Sequence, residues 1–257
     1  MAPENPPSWP QRYRALLAGS QMDATDILDT ASQRPTADRP ILFSLAQLLE
    51  SPELLRQQVA ADYPDVADQG PVTRLSVLQL DLMTRIIAPL ILQFFRDGCA
   101  SPPDASTIFL MVRDSKTDKA SRWCQVPEQS PQGAAVFIEA TAQQLQLWYR
   151  VFRQSLGVSP GAYWSSAAIA LGAPFSAVWN RVNAQELCTL AEDWLAVLEC
   201  PARQYVDWLA VGHGLGQVAI PQRRGCCLKY RLPDGRCCGT CGLHRKERLA
   251  ALRQQTD

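Results

Sequence analysis

Five of the nine cysteines lie within the 16 residues from Cys226 to Cys241, as the adjacent pairs Cys226-Cys227 and Cys237-Cys238 and the single Cys241. Thiols so crowded fix where the chain must double back, because they are shared by a disulfide staple, a redox dithiol, a zinc knuckle or an iron–sulfur cluster. Compartment separates the first of these from the rest. The N-terminus MAPENPPSWPQRYRALLAGS has three prolines in its first seven residues and no apolar core of signal-peptide length. The expectation is therefore a cytoplasmic protein, where thiols stay reduced and dense cysteines bind metal.

The longest apolar run, Ile86 to Phe95, is interrupted by Pro89 and Gln93 and is too short to span a bilayer, so it reads as a buried helix segment. The expectation is no membrane span, with peripheral association left open. A formal net charge of +0 conceals an asymmetry: residues 222–257 carry 9 Lys/Arg against 3 Asp/Glu, so the cysteine-rich end is the basic end. Nucleic acid, an anionic small partner, or the anionic metal site itself would each account for that.

Apolar spacing predicts helices over Ile41–Leu49, Ser51–Ala61, Val72–Arg96, Pro131–Leu156, Pro160–Arg181 and Ala184–Cys200, the last opened by Asn183 and Glu186 placed like a capping box. Thr107–Arg113 and Ser121–Val126 flank the turn-like DSKTDKA and read as a β-hairpin. Tyr205–Val211 and Leu215–Ile220 around Gly212-His213-Gly214 read as a second, leading into the cysteines. Gly242 onward reads as a short basic helix. The fold class expected is α+β, mainly helical with small antiparallel β-hairpins and a C-terminal metal-binding segment. The expected organisation is an N-terminal arm over 1–39 with at most short helices, a mainly helical domain over 40–221, and the cysteine segment over 222–257.

Gly157-Val158-Ser159-Pro160-Gly161 fits the G-x-S-x-G pattern of hydrolase nucleophile elbows, but Pro160 has no N–H to give an oxyanion hole. The better reading is that Gly157 ends one helix, Ser159 caps the next and Pro160 opens it. Cys99, Cys124, Cys188 and Cys200 are scattered and read as small core hydrophobes. His244 follows Cys241 by three residues and is weighed as a fourth ligand, more simply as a solvated residue of the basic helix.

Cys238-Gly239-Thr240-Cys241 is a metal-binding knuckle. Its counterpart, Cys226-Cys227, has nothing between the two thiols, so both can ligate only if the backbone turns, which Gly225 permits. A cluster with several metal atoms accommodates adjacent ligands more easily than a single zinc ion, although spacing alone leaves both open.

The pattern C-C-x10-C-x2-C, with the embedded Tyr230-to-Gly235 YRLPDG and the lead-in Gln222-Arg223-Arg224, resembles the C-terminal signature of the FhuF-like ferric siderophore reductases. Weaker similarity extends through residues 75–97 and Trp164-Ser165-Ser166. The resemblance implies that Cys226, Cys227, Cys238 and Cys241 hold a 2Fe-2S cluster. Cys237 is an extra thiol and an alternative ligand to Cys238. It implies an oxidoreductase of iron homeostasis that reduces siderophore-bound Fe(III), hydroxamate types first, using electrons from a reductase, ferredoxin or flavin, with no nucleic-acid partner. Arg223, Arg224, Lys229 and Arg231, with Trp164, are the candidates for steering substrate or donor, and the basic residues should also raise the cluster potential. Two rival readings are a zinc-knuckle nucleic-acid-binding protein and an iron–sulfur sensor or assembly factor.

Overall fold

Pro89 sits inside the longest helical pattern of the chain and dictates how that helix is built. The structure, a computed structural model, describes residues 7–29, 40–62, 71–112, 121–126, 130–213, 216–232, 235–243, 245–247 and 250. Helices α1 (Trp9–Ala18) and α2 (Ala24–Asp29) precede strand β1 (Ile41–Ser44), α3 (Leu45–Glu50) and α4 (Glu53–Asp62). The predicted long helix then runs from Pro71 to Asp97 in three parts: α5 (Pro71–Leu82), a π-helical turn (Met83–Ile87) and α6 (Ala88–Asp97). In a regular helix Pro89 would leave the Arg85 carbonyl without a donor and clash with it. The wider π turn, closed by Ala88 N–H on Met83 O, absorbs that misfit. Gly98, at φ 79°, ends the helix as expected. The apolar run around Pro89 thus belongs to a 27-residue helix that is long and apolar enough to cross a membrane by length and composition, while 61% of its most apolar window is buried inside the protein.

The first predicted hairpin is present as β2 (Ile108–Met111) and β3 (Arg122–Gln125), antiparallel with Ile108 opposite Gln125; its connecting segment lies outside the described residues. β1 adds to its edge, giving the order β1-β2-β3. This corrects the helix predicted over Ile41–Leu49. Ser44 and Gln47 form a reciprocal cap, Gln47 N–H to Ser44 Oγ at 3.1 Å and Ser44 N–H to Gln47 Oε1 at 2.8 Å, so the helix starts only after Ser44. The preceding Ile-Leu-Phe is free to pair as a strand. The sheet rests on α5, where Trp123 Nε1–H donates to Leu78 O at 3.0 Å.

Helix α7 (Ala134–Gln154) is followed by α8 (Pro160–Leu171) and α9 (Ala173–Ala177). Gly157 has φ 72° and Ser159 Oγ accepts from Ala162 N–H, as the capping reading of that segment requires. The single helix predicted over 160–181 breaks at Gly172, where a Cβ would lie 2.9 Å from the Trp208 ring, and Pro174 cannot continue the hydrogen-bond ladder. α10 (Ala184–Val197) opens on Asn183, whose side chain accepts from Gln185 and Glu186 N–H. A 3-10 turn (Pro201–Tyr205) then leads into the second hairpin, β4 (Val206–His213) and β5 (Gly216–Arg223).

One contiguous core joins these elements. Phe94 stacks on Phe137 and Trp194 at 5.0 and 5.7 Å, and Phe95 meets Trp194 edge-on at 5.0 Å. Residues 9–29, read as part of an arm, dock on this core: Tyr13 and Leu17 are fully enclosed, and Tyr13 donates its hydroxyl to Pro174 O at 2.8 Å. The protein is α+β, mainly helical, with two small antiparallel sheets. Of the basic helix predicted from Gly242 onward, Gly242, Leu243, Arg245–Glu247 and Ala250 fall among the described residues, the first two as bend and turn and the others as helix.

Candidate metal centre

The second hairpin delivers the cysteines. At its end Gln222 is buried and its amide donates to Cys241 O at 2.9 Å, while Arg223 N–H donates to Thr240 O at 3.2 Å, so the strand that precedes the first cysteine pair is sewn to the loop that carries the second. The chain then crosses the first turn of α8 backbone to backbone: a Cβ on Gly225 would fall 1.9 Å from Gly161 O. Gly242 packs on the other side, where a Cβ would be 2.7 Å from Gly225 O. From α5, Ser76 Oγ–H donates to Cys227 O at 3.1 Å.

The chain bends at Arg224-Gly225, as the turn expected there requires, and Gly225 also permits this close approach. Just past the cysteine pair Leu228 is left-handed, at φ 62° and ψ 4°. A left-handed leucine costs roughly 1 kcal/mol, and here it aims the Leu228 N–H at Cys226 Sγ, 3.3 Å away. Such strain persists only where surrounding contacts hold it.

Of the five thiols, Cys227 and Cys241 are buried, Cys226 and Cys238 are half-buried, and Cys237 is exposed. A hydrogen bond from the Cys227 thiol, helped by the Arg223 charge and by Thr240, holds the Cys238 thiol below its usual range. Burial raises Cys226, with the neighbouring Cys241 and Cys238 sulfurs adding to the effect. One thiolate is therefore readily held at Cys238, and each further one is opposed by the sulfurs already charged; a shared cation removes that opposition. Among the described residues no three His, Cys, Asp or Glu side chains converge on a position for one metal ion. His244 lies outside the described residues.

Arg223 and Trp164 are not where substrate steering would put them. Trp164 is 2% exposed and packs against Tyr149 and Tyr163 at 5.1 Å each, part of the core as its helical spacing implied. Arg223 is also 2% exposed. Its Nε–H donates to Ser165 Oγ at 3.1 Å, its Nη2 to Ser166 Oγ, and its Nη1 lies 4.0 Å from Cys238 Sγ. A side chain closed off from solvent cannot capture a complex arriving from solution. Arg224 remains at the surface but is tied to Asp207, which also takes Arg245 at 2.9 Å. The hydrogen bond from Arg224 chiefly, and both positive charges, hold the Asp207 carboxyl below its usual range. Lys229 and Arg231 are exposed, as is Arg236, and Arg231 lies over the Tyr230 ring at 5.8 Å. Ser76 and Ser165 support the site through partners from distant segments, a role nothing local marks, while Thr240 reaches Cys238 from within the knuckle itself.

Of the isolated cysteines, Cys124 in β3 and Cys188 in α10 are buried as expected, while Cys99 after α6 and Cys200 after α10 are only half-buried. Cys188 in α10 is pushed to about 11 by burial, next by the Glu192 charge, and Cys200 is likewise raised by burial. No protein-family model matches the chain, and no curated protein matches it significantly.

Proposed function

We propose that the chain is a cytoplasmic ferric siderophore reductase whose Cys226, Cys227, Cys238 and Cys241 hold a 2Fe-2S cluster. What supports the reading is that the segments carrying Cys226-Cys227 and Cys238–Cys241 are hydrogen-bonded to one another at Gln222 and Arg223 and packed on α5 and α8, with a buried guanidinium 4.0 Å from Cys238 Sγ and a backbone N–H 3.3 Å from Cys226 Sγ. The donor set fits an anionic thiolate cluster: four thiols, hydrogen-bond donors to sulfur, and a cation beside them. The bound cluster would supply a one-electron reductant. The residues do the rest. The Gly161–Gly225–Gly242 stack packs the cysteine-bearing loops tightly on α8, the buried Cys227 and Cys241 would keep part of the centre from water, and the half-buried Cys226 and Cys238 would leave an edge near solvent.

The substrate reading follows from coordination chemistry and from the resemblance. Hard oxygen donors hold Fe(III) far more tightly than Fe(II), so adding one electron labilises the iron without cleaving the ligand. No acid–base group is then needed. The exposed Lys229, Arg231 and Arg236, close in sequence to the half-buried Cys226 and Cys238, can attract an anionic ferric complex or an acidic electron donor.

Chemically reduced protein mixed with a ferric hydroxamate and a ferrous chelator should release chelated Fe(II). An anionic complex should react faster at low salt than a neutral one, and the difference should shrink as ionic strength rises toward ~0.15 M, where screening acts over about 8 Å. Changing Lys229, Arg231 and Arg236 together to Gln should remove most of that difference. A reduced cluster that passes no electron to any ferric complex would point instead to a sensor or assembly factor.

A further inference from the structure

Burying a guanidinium costs several kcal/mol unless an anion lies beside it. Arg12, Arg56, Arg85, Arg96, Arg224 and Arg245 each meet a carboxylate and have side chains 25–54% exposed. Arg223 is enclosed, and among the described residues no carboxylate pairs with it. Two of its contacts are neutral hydroxyls. Ser166 donates its own proton to Ala162 O at 2.7 Å, which leaves its lone pairs to accept from Arg223, and Ser165 is equally buried on the same helix. The one contact able to carry negative charge is Cys238 Sγ. The two serines are therefore a mount, and the sulfur is what the mount points at.

We propose that Arg223 is the built-in counter-ion of the metal–sulfur centre, aimed at Cys238 by Ser165 and Ser166, and that it sets the centre's reduction potential. This rests on the proposed cluster. The electron arriving from a reduced donor adds one unit of negative charge to the sulfur-bound centre, and a fixed positive charge stabilises that state more than the oxidised one. Burial makes the effect large, because low-dielectric surroundings and exclusion of salt leave the interaction unscreened. Arg223 is a positioning and tuning residue, with no contact to substrate. Lys229, Arg231 and Arg236, though nearer solvent, are screened by water and contribute less to the potential.

The test compares wild type with Arg223→Gln, Arg223→Lys and the double variant Ser165→Ala/Ser166→Ala, measuring iron and acid-labile sulfide per chain and then the midpoint potential by spectroelectrochemical titration. Arg223→Gln should make reduction less favourable by about tenfold or more, a fall of about 59 mV or more for one electron. Arg223→Lys should retain most of the wild-type value, and the serine pair should give an intermediate fall because the charge remains but is no longer aimed. If Arg223→Gln fails to assemble a centre, the ordering of wild type, Arg223→Lys and the serine pair decides the matter. Equal potentials across cluster-loaded variants, or equal falls for Lys and Gln, overturn the counter-ion role while leaving the function intact. A wild-type protein without iron and sulfide overturns both.

Discussion

Serine at Cys226, Cys227, Cys238 or Cys241 is expected to strip iron and acid-labile sulfide from the purified protein, and serine at Cys237 to leave both in place. The expectation rests on the surroundings of the four proposed ligands: Cys227 and Cys241 are buried, Cys226 Sγ receives the Leu228 N–H, and Cys238 Sγ faces Arg223 and lies 3.8 Å from Thr240 Oγ1. Cys237 is exposed. Serine at a ligand position offers a harder, far less acidic donor in place of a thiolate. Losing an outer-shell partner alone lowers metal affinity by about 10–100-fold, so losing a ligand should exceed that. Iron and sulfide analysis of the five variants decides it. Retention of the cluster by Cys238→Ser together with its loss in Cys237→Ser would reverse the assignment within that pair.

Gly225→Ala should be nearly as damaging although it removes no ligand. The added Cβ would stand 1.9 Å from Gly161 O, 2.4 Å from its carbonyl carbon and 2.8 Å from its Cα. These are backbone atoms of the first turn of α8, so no flexible side chain can give way, and the cysteine segment must lift off the helix. Overpacking a buried site ordinarily costs about 1–3 kcal/mol; a clash against backbone on this scale should reach the upper end or beyond it. Lifting the segment also carries Arg223 away from Ser165 and Ser166. The expected result is a lower denaturation midpoint and substoichiometric iron. Gly239→Ala, with nothing within 4 Å of its Cβ, is the matched control and should change neither. Wild-type iron content and stability in Gly225→Ala would show that the close approach at Gly161 does not hold the centre.

The hairpins, most helices and their caps were legible because apolar period, Gly and Pro act locally. Ile41–Leu49 was misread because its apolar spacing suits either structure over so few residues; the Ser44-x-x-Gln47 capping box was the local signal that a helix begins only after Ser44. The π turn at Met83–Ile87 could be anticipated only from Pro89 inside an otherwise strong helix. At the site, sequence reading put Arg223 and Arg224 together as surface charge. Consecutive side chains at a strand end point to opposite faces, so an adjacent pair leaving β5 is better read as one inward and one outward, which is how Arg223 and Arg224 lie. The turn at Gly225 is legible and present, but the tightest constraint on that residue comes from Gly161, 64 residues earlier in the sequence, a contact that no local pattern reveals. The same holds for Ser76 on Cys227 and for the serines on Arg223: they belong to other helices, and only tertiary packing brings them to the cysteines.

The central claim, that these four cysteines hold an iron–sulfur cluster, is tested most directly by the visible absorption spectrum of the anaerobically purified protein, taken with its iron, sulfide and zinc content. The account predicts a red-brown protein with sulfur-to-iron charge-transfer bands that bleach on reduction, and iron and sulfide in equal amounts. A colourless protein carrying zinc and no sulfide would contradict it and leave a structural knuckle in its place.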